Sequence, residues 1–361
     1  MSWRAWLGRL TLLVGGSITG LLLAELALRL AAPAGAAWLV ANSPALYDTN
    51  IFYVDSQRRL LLKPDSVGTF QTPEFHTTVR INALGLRGPE LSDEPALRVL
   101  TVGDSYTLGV QVDEEETFQA LLARSLTASL GRRVEVLNGG VDSHGTYDAI
   151  GQIERVSAEV SLDAVVLTFF VGNDLYDDCN RHRRRLRPGP LRPPPPQPLL
   201  RRVSHLYTWA SVWLSSRQMA SDPMQGQRFR EELSLFTAAA DLDAASRCSV
   251  EALSKLSHIL SERDLPGIVG IAPPAFAVHP ERLPATFALV GLDPAAATLG
   301  APAATIAAKL PTTLTSVSLS DPLEAAASDA AMFFTFDGHW TAAGHAVVAE
   351  AYAGPIESVL R

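Results

Sequence analysis

A chain of 361 residues is long enough for one large α/β domain or two smaller ones, and for a substantial buried core. Its formal net charge of −8 excludes nucleic acid as the default partner. Its two cysteines, Cys179 and Cys248, are too few for a disulfide scaffold and match no zinc-site spacing.

The N-terminal segment supplies an excess of apolar residues. Arg4 and Arg9 flank the uncharged run Leu10–Ala24; Glu25 interrupts it, and Leu26–Leu28 and Leu30 resume. Leu10–Leu28 is just long enough to cross a bilayer, and the basic flank predicts a cytoplasmic start with the remainder exported. Residues 1–32 are therefore read as a membrane anchor or signal segment. Ala32-Pro33-Ala34 and Ala34-Gly35-Ala36 offer small-residue cleavage sites for the second of these. Export would also permit a disulfide between Cys179 and Cys248, whose proximity the sequence does not set.

Residues 33–95 carry few helical signals. Phe70-Gln71-Thr72 and Thr77–Asn82 read as short strands, leading to turns marked by Gly85, Gly88 and Pro89. This stretch is expected to be a collar packed on the following domain, with an extended linker as the competing reading.

From residue 96 strand and helix alternate. Arg98–Val102, Arg133–Leu137, Ala164–Val171, Gly267–Ala272 and Leu314–Leu319 read as strands. Thr117–Leu130, Tyr147–Val160, Val250–Arg263, Ala303–Leu310 and a final stretch capped by Thr341 read as helices. Such alternation predicts an α/β domain over 96–361 with a central parallel sheet and right-handed crossovers.

An insertion, 180–249, interrupts this pattern. Arg181 to Arg202 holds eight arginines, no acids and the run Pro193–Pro196, a composition that predicts polyproline conformation and mobility. Leu206–Leu214 is aromatic and reads as helical. It either covers the crevice or docks on the core, and the arginines form a solvated strap.

Ser105 follows the apolar run Val99–Val102 within Gly103-Asp104-Ser105, at the tip of a strand where open α/β sheets bind ligands. Asp337-Gly338-His339-Trp340 lies just before the last amphipathic stretch. A serine hydroxyl needs a neutral imidazole to take its proton, and a carboxylate fixes the tautomer of that imidazole. Ser105, His339 and Asp337 are thus the candidate catalytic residues, with Gly103 and Asp104 supporting the turn. Two further pieces stand at strand ends: Leu137-Asn138-Gly139-Gly140-Val141-Asp142-Ser143-His144-Gly145 and Val171-Gly172-Asn173-Asp174.

These four blocks, in this order, resemble those of the SGNH (GDSL) hydrolase superfamily over residues 97–180 and 250–352. The text Arg80-Ile81-Asn82-Ala83-Leu84-Gly85-Leu86-Arg87-Gly88-Pro89-Glu90 also resembles that of membrane-anchored bacterial members. The resemblance implies a flavodoxin-like three-layer sandwich, Ser105 as nucleophile, His339 as base and Asp337 as orienter. It implies an oxyanion hole from the Ser105 amide, an amide of the second block (Ser143 or Gly140) and the Asn173 side chain. Two positions depart from the pattern. Many members place the acid three residues before the histidine, where this chain has Phe336; the Asp-x-His spacing appears in similar alginate O-acetylation enzymes. Ser143 stands where the second block commonly has glycine.

The expected function is an exported serine esterase or O-acyltransferase acting on glycan or lipid esters, tethered to the membrane, without metal or cofactor. Its oligomeric state is not legible. The alternative from another class is a non-catalytic module of the same fold that binds envelope polysaccharide or a partner protein. Asp321 is held as a substitute acid. His144 is a candidate substrate contact, His345 a packing or surface residue, and Trp340 is expected beneath the triad loop.

Overall fold

A computed structural model describes residues 3–31, 46–47, 49–72, 74–94, 96–180, 188–191, 204–207, 209–211, 214 and 225–361. Helix α1 (Trp3–Ala31) contains the 25-residue apolar stretch Trp6–Leu30, which rises roughly 37 Å at 1.5 Å per residue. None of its most apolar part is covered by protein: Leu12 is 78% and Leu22 65% exposed. By length and composition it is able to cross a membrane. Both small-residue cleavage sites and the junction at residue 32 fall outside the described residues.

The collar is built from antiparallel strands. β1 (Leu46–Tyr47), β4 (Ser66–Gln71) and β5 (His76–Ile81) form one sheet in the order β1-β4-β5. β5 alternates exposed and buried positions, and its inward Thr77, Val79 and Ile81 face a small core with Ile51, Phe70, Leu108 and Val141. β2 (Phe52–Val54) pairs with β3 (Leu60–Leu62) and, on its other side, with β9 (Gly189–Pro190). A piece of the insertion therefore closes a sheet of the collar. The eight arginines and Pro193–Pro196 fall outside the described residues, as do parts of the aromatic run; its described residues 206–207, 209–211 and 214 are helical.

Five strands make the central sheet: β6 (Leu97–Gly103), β7 (Val134–Asn138), β8 (Ala164–Phe170), β10 (Gly267–Ala272) and β11 (Leu314–Ser318). All are parallel, in the spatial order β7-β6-β8-β10-β11. That is the flavodoxin-like order, with its switch point between β6 and β8. β8 and β10 are almost wholly buried, as their predominantly apolar sequences require, and the buried Thr168 hydroxyl of β8 is bonded to Tyr352 Oη at 2.9 Å. The fold is α/β, as expected.

Helices cover both faces. α2 (Ser105–Leu108) follows β6, and α3 (Phe118–Leu130) lies on one face with the final helix (Ala342–Leu360), where Phe118, Leu122, Val348 and Tyr352 share a core. Thr117 caps the first of these and Thr341 the second, each through a side-chain oxygen accepting a backbone N–H. The opposite face carries α4 (Thr146–Ser157), α5 (Asp174–Asn180) and α7 (Leu242–Glu262), α6 (Gln225–Ser234) preceding the last of these. A disulfide between Cys179 and Cys248 ties α5 to α7.

One buried arginine ties the collar to this domain, alongside bonds such as that from Thr77 Oγ1 to the Val110 carbonyl. The Arg87 guanidinium donates to the carbonyls of Leu108 (2.8 Å), Gly109 and Val112 (2.6 Å), at the end of the short helix that begins with Ser105. Its backbone also bridges Asn138 at the outer edge of the sheet. Burial brings its pKa down to about 10, well above neutrality, so the charge stays.

Candidate active site

β6 ends at Gly103, and the chain must turn at once against β8. A side chain at Gly103 would put its Cβ 2.7 Å from the Thr168 carbonyl and 2.4 Å from Thr107 Oγ1, so only glycine fits. Asp104 then caps α2, its Oδ1 accepting the Tyr106 N–H at 2.9 Å. Ser105 is the first residue of that helix, half-buried at the carboxyl end of β6. Its own N–H lies in the first helical turn, where backbone donors lack intrahelical acceptors.

The partner groups come from a tight loop before the final helix. Phe333 bridges Trp340, the Phe334 N–H donates to the His339 carbonyl (2.8 Å), and the Thr341 N–H donates to that of Met332 (3.0 Å). Gly338 sits at the tip with φ +82°, a conformation other residues rarely adopt. The turn brings Asp337 Oδ1 within 2.7 Å of His339 Nδ1 and 3.3 Å of the His339 N–H. His339 Nε2 is 2.8 Å from Ser105 Oγ. A carboxylate on Nδ1 fixes the proton there and leaves Nε2 as acceptor. Burial disfavours the imidazolium, but the charge and hydrogen bond of Asp337 outweigh it, with help from Asp104 and Asp142; the His339 pKa lies above its ordinary value.

Three residues that were not among the candidates hold this loop. The Glu74 carboxylate, at the β4–β5 turn of the collar, accepts the N–H groups of Thr335 (2.7 Å), Phe336 (3.1 Å) and Asp337 (2.9 Å). Arg282 donates to the carbonyl of Phe334 at 3.0 Å from another side. Tyr106 Oη donates to the Gly338 carbonyl at 2.8 Å, and its ring packs 4.7 Å from that of His339. Trp340 is buried beside Tyr106 and Phe118, under the loop as expected.

The remaining candidates are distributed as follows. Asn173 caps α5 from the end of β8, its carbonyl accepting the Asp177 N–H, and Nδ2 donates to Asp104 Oδ2 at 3.3 Å. Burial pushes the Asp104 carboxyl up to about 7 against the Tyr106 N–H, the charge of His339 and the Asn173 amide. Ser143 adopts φ 60°, the left-handed conformation that favours glycine. The Gly140 N–H donates to Asn138 Oδ1 at 3.1 Å, so this amide is committed within its own turn. His144, a candidate substrate contact, is buried with Nε2 2.7 Å from the Leu60 carbonyl of the collar. His345 is buried too, accepting the Phe118 N–H on Nδ1. Asp321 is exposed on a short helix, Ser320–Ala326, and Asp337 is the acid beside His339. Among the described residues no group of three or more His, Cys, Asp or Glu is placed to hold a metal ion.

No family model and no curated protein matches the chain. Solved structures do. A member of the lipolytic protein G-D-S-L family from Veillonella parvula DSM 2008 aligns at 13% identity over 72% of this chain and 97% of its own, with a TM-score of 0.38. A catalytic mutant of Axe2, an acetylxylan esterase from Geobacillus stearothermophilus, aligns at 14% identity over 73% and 96%, with a TM-score of 0.40. The lipase Lip_vut3 from a goat rumen metagenome aligns at 12% identity over 72% and 97%, with a TM-score of 0.39. Similarities of this size show neither a shared family nor a shared activity.

Proposed function

We propose that this chain is a membrane-tethered serine hydrolase of the SGNH type, acting on ester bonds through an acyl-Ser105 intermediate. The observation that carries the reading is the continuous relay Asp337 Oδ1–His339–Ser105 Oγ, with contacts of 2.7 and 2.8 Å, at the switch point of the sheet.

The chemistry follows from the geometry. Neutral His339 takes the Ser105 proton on Nε2 as Oγ bonds to the acyl carbon. Asp337 then faces an imidazolium, which it stabilises. The negative charge moves to the acyl oxygen, and the Ser105 amide, the Ser143 amide and the second N–H of the Asn173 carboxamide are the donors assigned to it. Each such donor is worth on the order of 3–4 kcal/mol of barrier. Collapse breaks the ester C–O bond, and the alcohol leaves with the proton from His339. Water or a sugar hydroxyl, deprotonated by the same imidazole, then releases the acyl group. Asp104 acts through Asn173 by fixing the orientation of its amide.

Helix α1 and the Cys179–Cys248 disulfide both favour an exported catalytic domain, since such bonds persist in oxidising compartments. Esters on envelope glycans are the first substrate class, and lipid esters at the membrane surface the second.

The test needs no substrate. Full-length protein in detergent is treated with a fluorophosphonate and the adduct mapped by mass spectrometry. Labelling at Ser105 that disappears in Ser105→Ala and slows at least about 100-fold in His339→Ala supports the reading. A folded wild-type protein that takes no label at Ser105 overturns it in favour of a non-catalytic binding module.

A further inference from the structure

We infer that Glu74 is a positioning residue of the acid–base loop, so that the collar is a working part of the site. This deepens the reading above and rests on it for its kinetic arm.

The tight turn at Asp337-Gly338-His339 leaves the N–H groups of residues 335, 336 and 337 directed at one carboxylate, an arrangement of successive amides that binds anions. Such bonds to a charged acceptor are shorter and stronger than neutral ones. Glu74 is itself aimed. Thr72 Oγ1 accepts the N–H groups of Glu74 (3.1 Å) and Phe75 (3.2 Å), and the Thr72 N–H donates to the Phe75 carbonyl (2.8 Å). The β4–β5 register, ending at Gln71 opposite His76, fixes where this turn lies. Phe75 adds an apolar contact, its ring 5.3 Å from that of Phe334. With Arg282 on the loop's carbonyls, the backbone is gripped by donors and acceptors together.

The consequence concerns Asp337. Its N–H is bonded to Glu74 and its Oδ1 to His339, so the residue is held at both ends. The shorter acid–histidine spacing makes this hold necessary, because a two-residue step leaves the carboxylate little freedom to recover its place. Without Glu74, three N–H groups lose their acceptor and the loop relaxes.

The experiment uses Glu74→Ala and Glu74→Gln in the full-length protein, with two readouts. The first is the rate of Ser105 phosphonylation. Glu74→Ala is expected to slow it about 10- to 100-fold, as a displacement near 1 Å does, while Glu74→Gln, which keeps an acceptor, restores most of it. The second is the low-field proton resonance of His339 Nδ1–H against Asp337. It is expected in wild type and Glu74→Gln, and lost in Glu74→Ala at a temperature where that variant is still folded. Equal labelling rates together with a retained resonance in Glu74→Ala overturn the proposal. If wild type takes no label, the hydrolase reading falls and the resonance alone decides: its loss in Glu74→Ala supports the positioning role, and its retention overturns it.

Discussion

Tyr106 Oη donates to the carbonyl of Gly338 at 2.8 Å, tying the residue after Ser105 to the residue between Asp337 and His339. The two halves of the candidate triad, 232 residues apart in sequence, are thereby fixed to one another as well as to their own elements. Burial and the charges of Asp104 and Asp337 hold the Tyr106 phenol well above its ordinary pKa, so it stays a donor at any working pH.

Tyr106→Phe keeps the ring against His339 and removes only this bond. It leaves the Gly338 carbonyl without that donor, a loss of about 1 kcal/mol in stability. The phosphonylation rate of Ser105 is expected to fall about tenfold, more than that stability loss would produce by unfolding. An unchanged rate would show that Glu74 and Arg282 hold the loop without it.

The pH dependence follows from His339. In the proposed mechanism it must be neutral to take the Ser105 proton, and its pKa is raised above the ordinary 6.5. The acid limb of acylation is therefore expected above pH 6.5, and the rate rises as His339 deprotonates. Linkage has a matching sign. The folded state holds this proton more tightly than the unfolded chain, so the stability it contributes is complete below about pH 6.5 and fades as pH rises through the folded pKa. In Asp337→Asn the limb moves down, and the rate is expected to drop by roughly 10⁴. A limb at or below pH 6 in wild type would show that Asp337 does not act on His339 as drawn.

How far the site was legible depends on whether its signals are local. Ser105, Asn173 and the Asp337-Gly338-His339 run each stand at a strand end or just before a capped helix, and those elements announce themselves by apolar runs. β10 is an uninterrupted apolar hexad, and Thr341 is a capping residue directly before an apolar stretch. Glu74, Tyr106 and Arg282 were not legible, since what they bind is the backbone of a distant loop, which no side-chain pattern marks. Gly140 entered as a possible donor through the resemblance, as an alternative to Ser143; its N–H donates to the Asn138 side chain two residues earlier, a bond no block pattern marks. The α7 helix begins at Leu242 rather than Val250 because Asp241 caps it, accepting the Ala244 N–H, ahead of the apolar face that marks its core. Short helices at Ala275–Val278 and Leu283–Ala288 escaped because fewer than two turns show no periodicity.

His345 works in the opposite sense to His339. Burial, followed by the charges of Arg87 and His339, brings its pKa down to about 3, so the folded protein keeps it neutral. Below about pH 6.5 the unfolded chain binds a proton here that the folded state refuses. Each further pH unit then costs the fold up to about 1.4 kcal/mol, until the folded pKa is reached. His345→Gln retains an acceptor for the Phe118 N–H and does not titrate. It is expected to lower the melting temperature at pH 7.5, where the stack on Phe118 is lost, and to reduce the further drop between pH 7.5 and 5. An equal drop in both proteins would assign the acid sensitivity elsewhere.

The disulfide offers the last test, since it joins α5, which follows Asn173, to α7 across a sequence separation of 69 residues. Closing a loop of that length restricts the unfolded chain and stabilises the fold by about 2–4 kcal/mol. It also bears on the site, because the carbonyl of Asn173 accepts the N–H groups that open α5. The double variant Cys179→Ala with Cys248→Ala is expected to melt several degrees lower, with Ser105 phosphonylation at 25 °C reduced less than about threefold, since Asp104 still holds the Asn173 amide. A larger loss of labelling in a protein still folded at that temperature would show that the disulfide positions Asn173 itself. Resistance of both thiols to alkylation before reduction, and their reaction after it, would establish that the bond forms in the isolated protein.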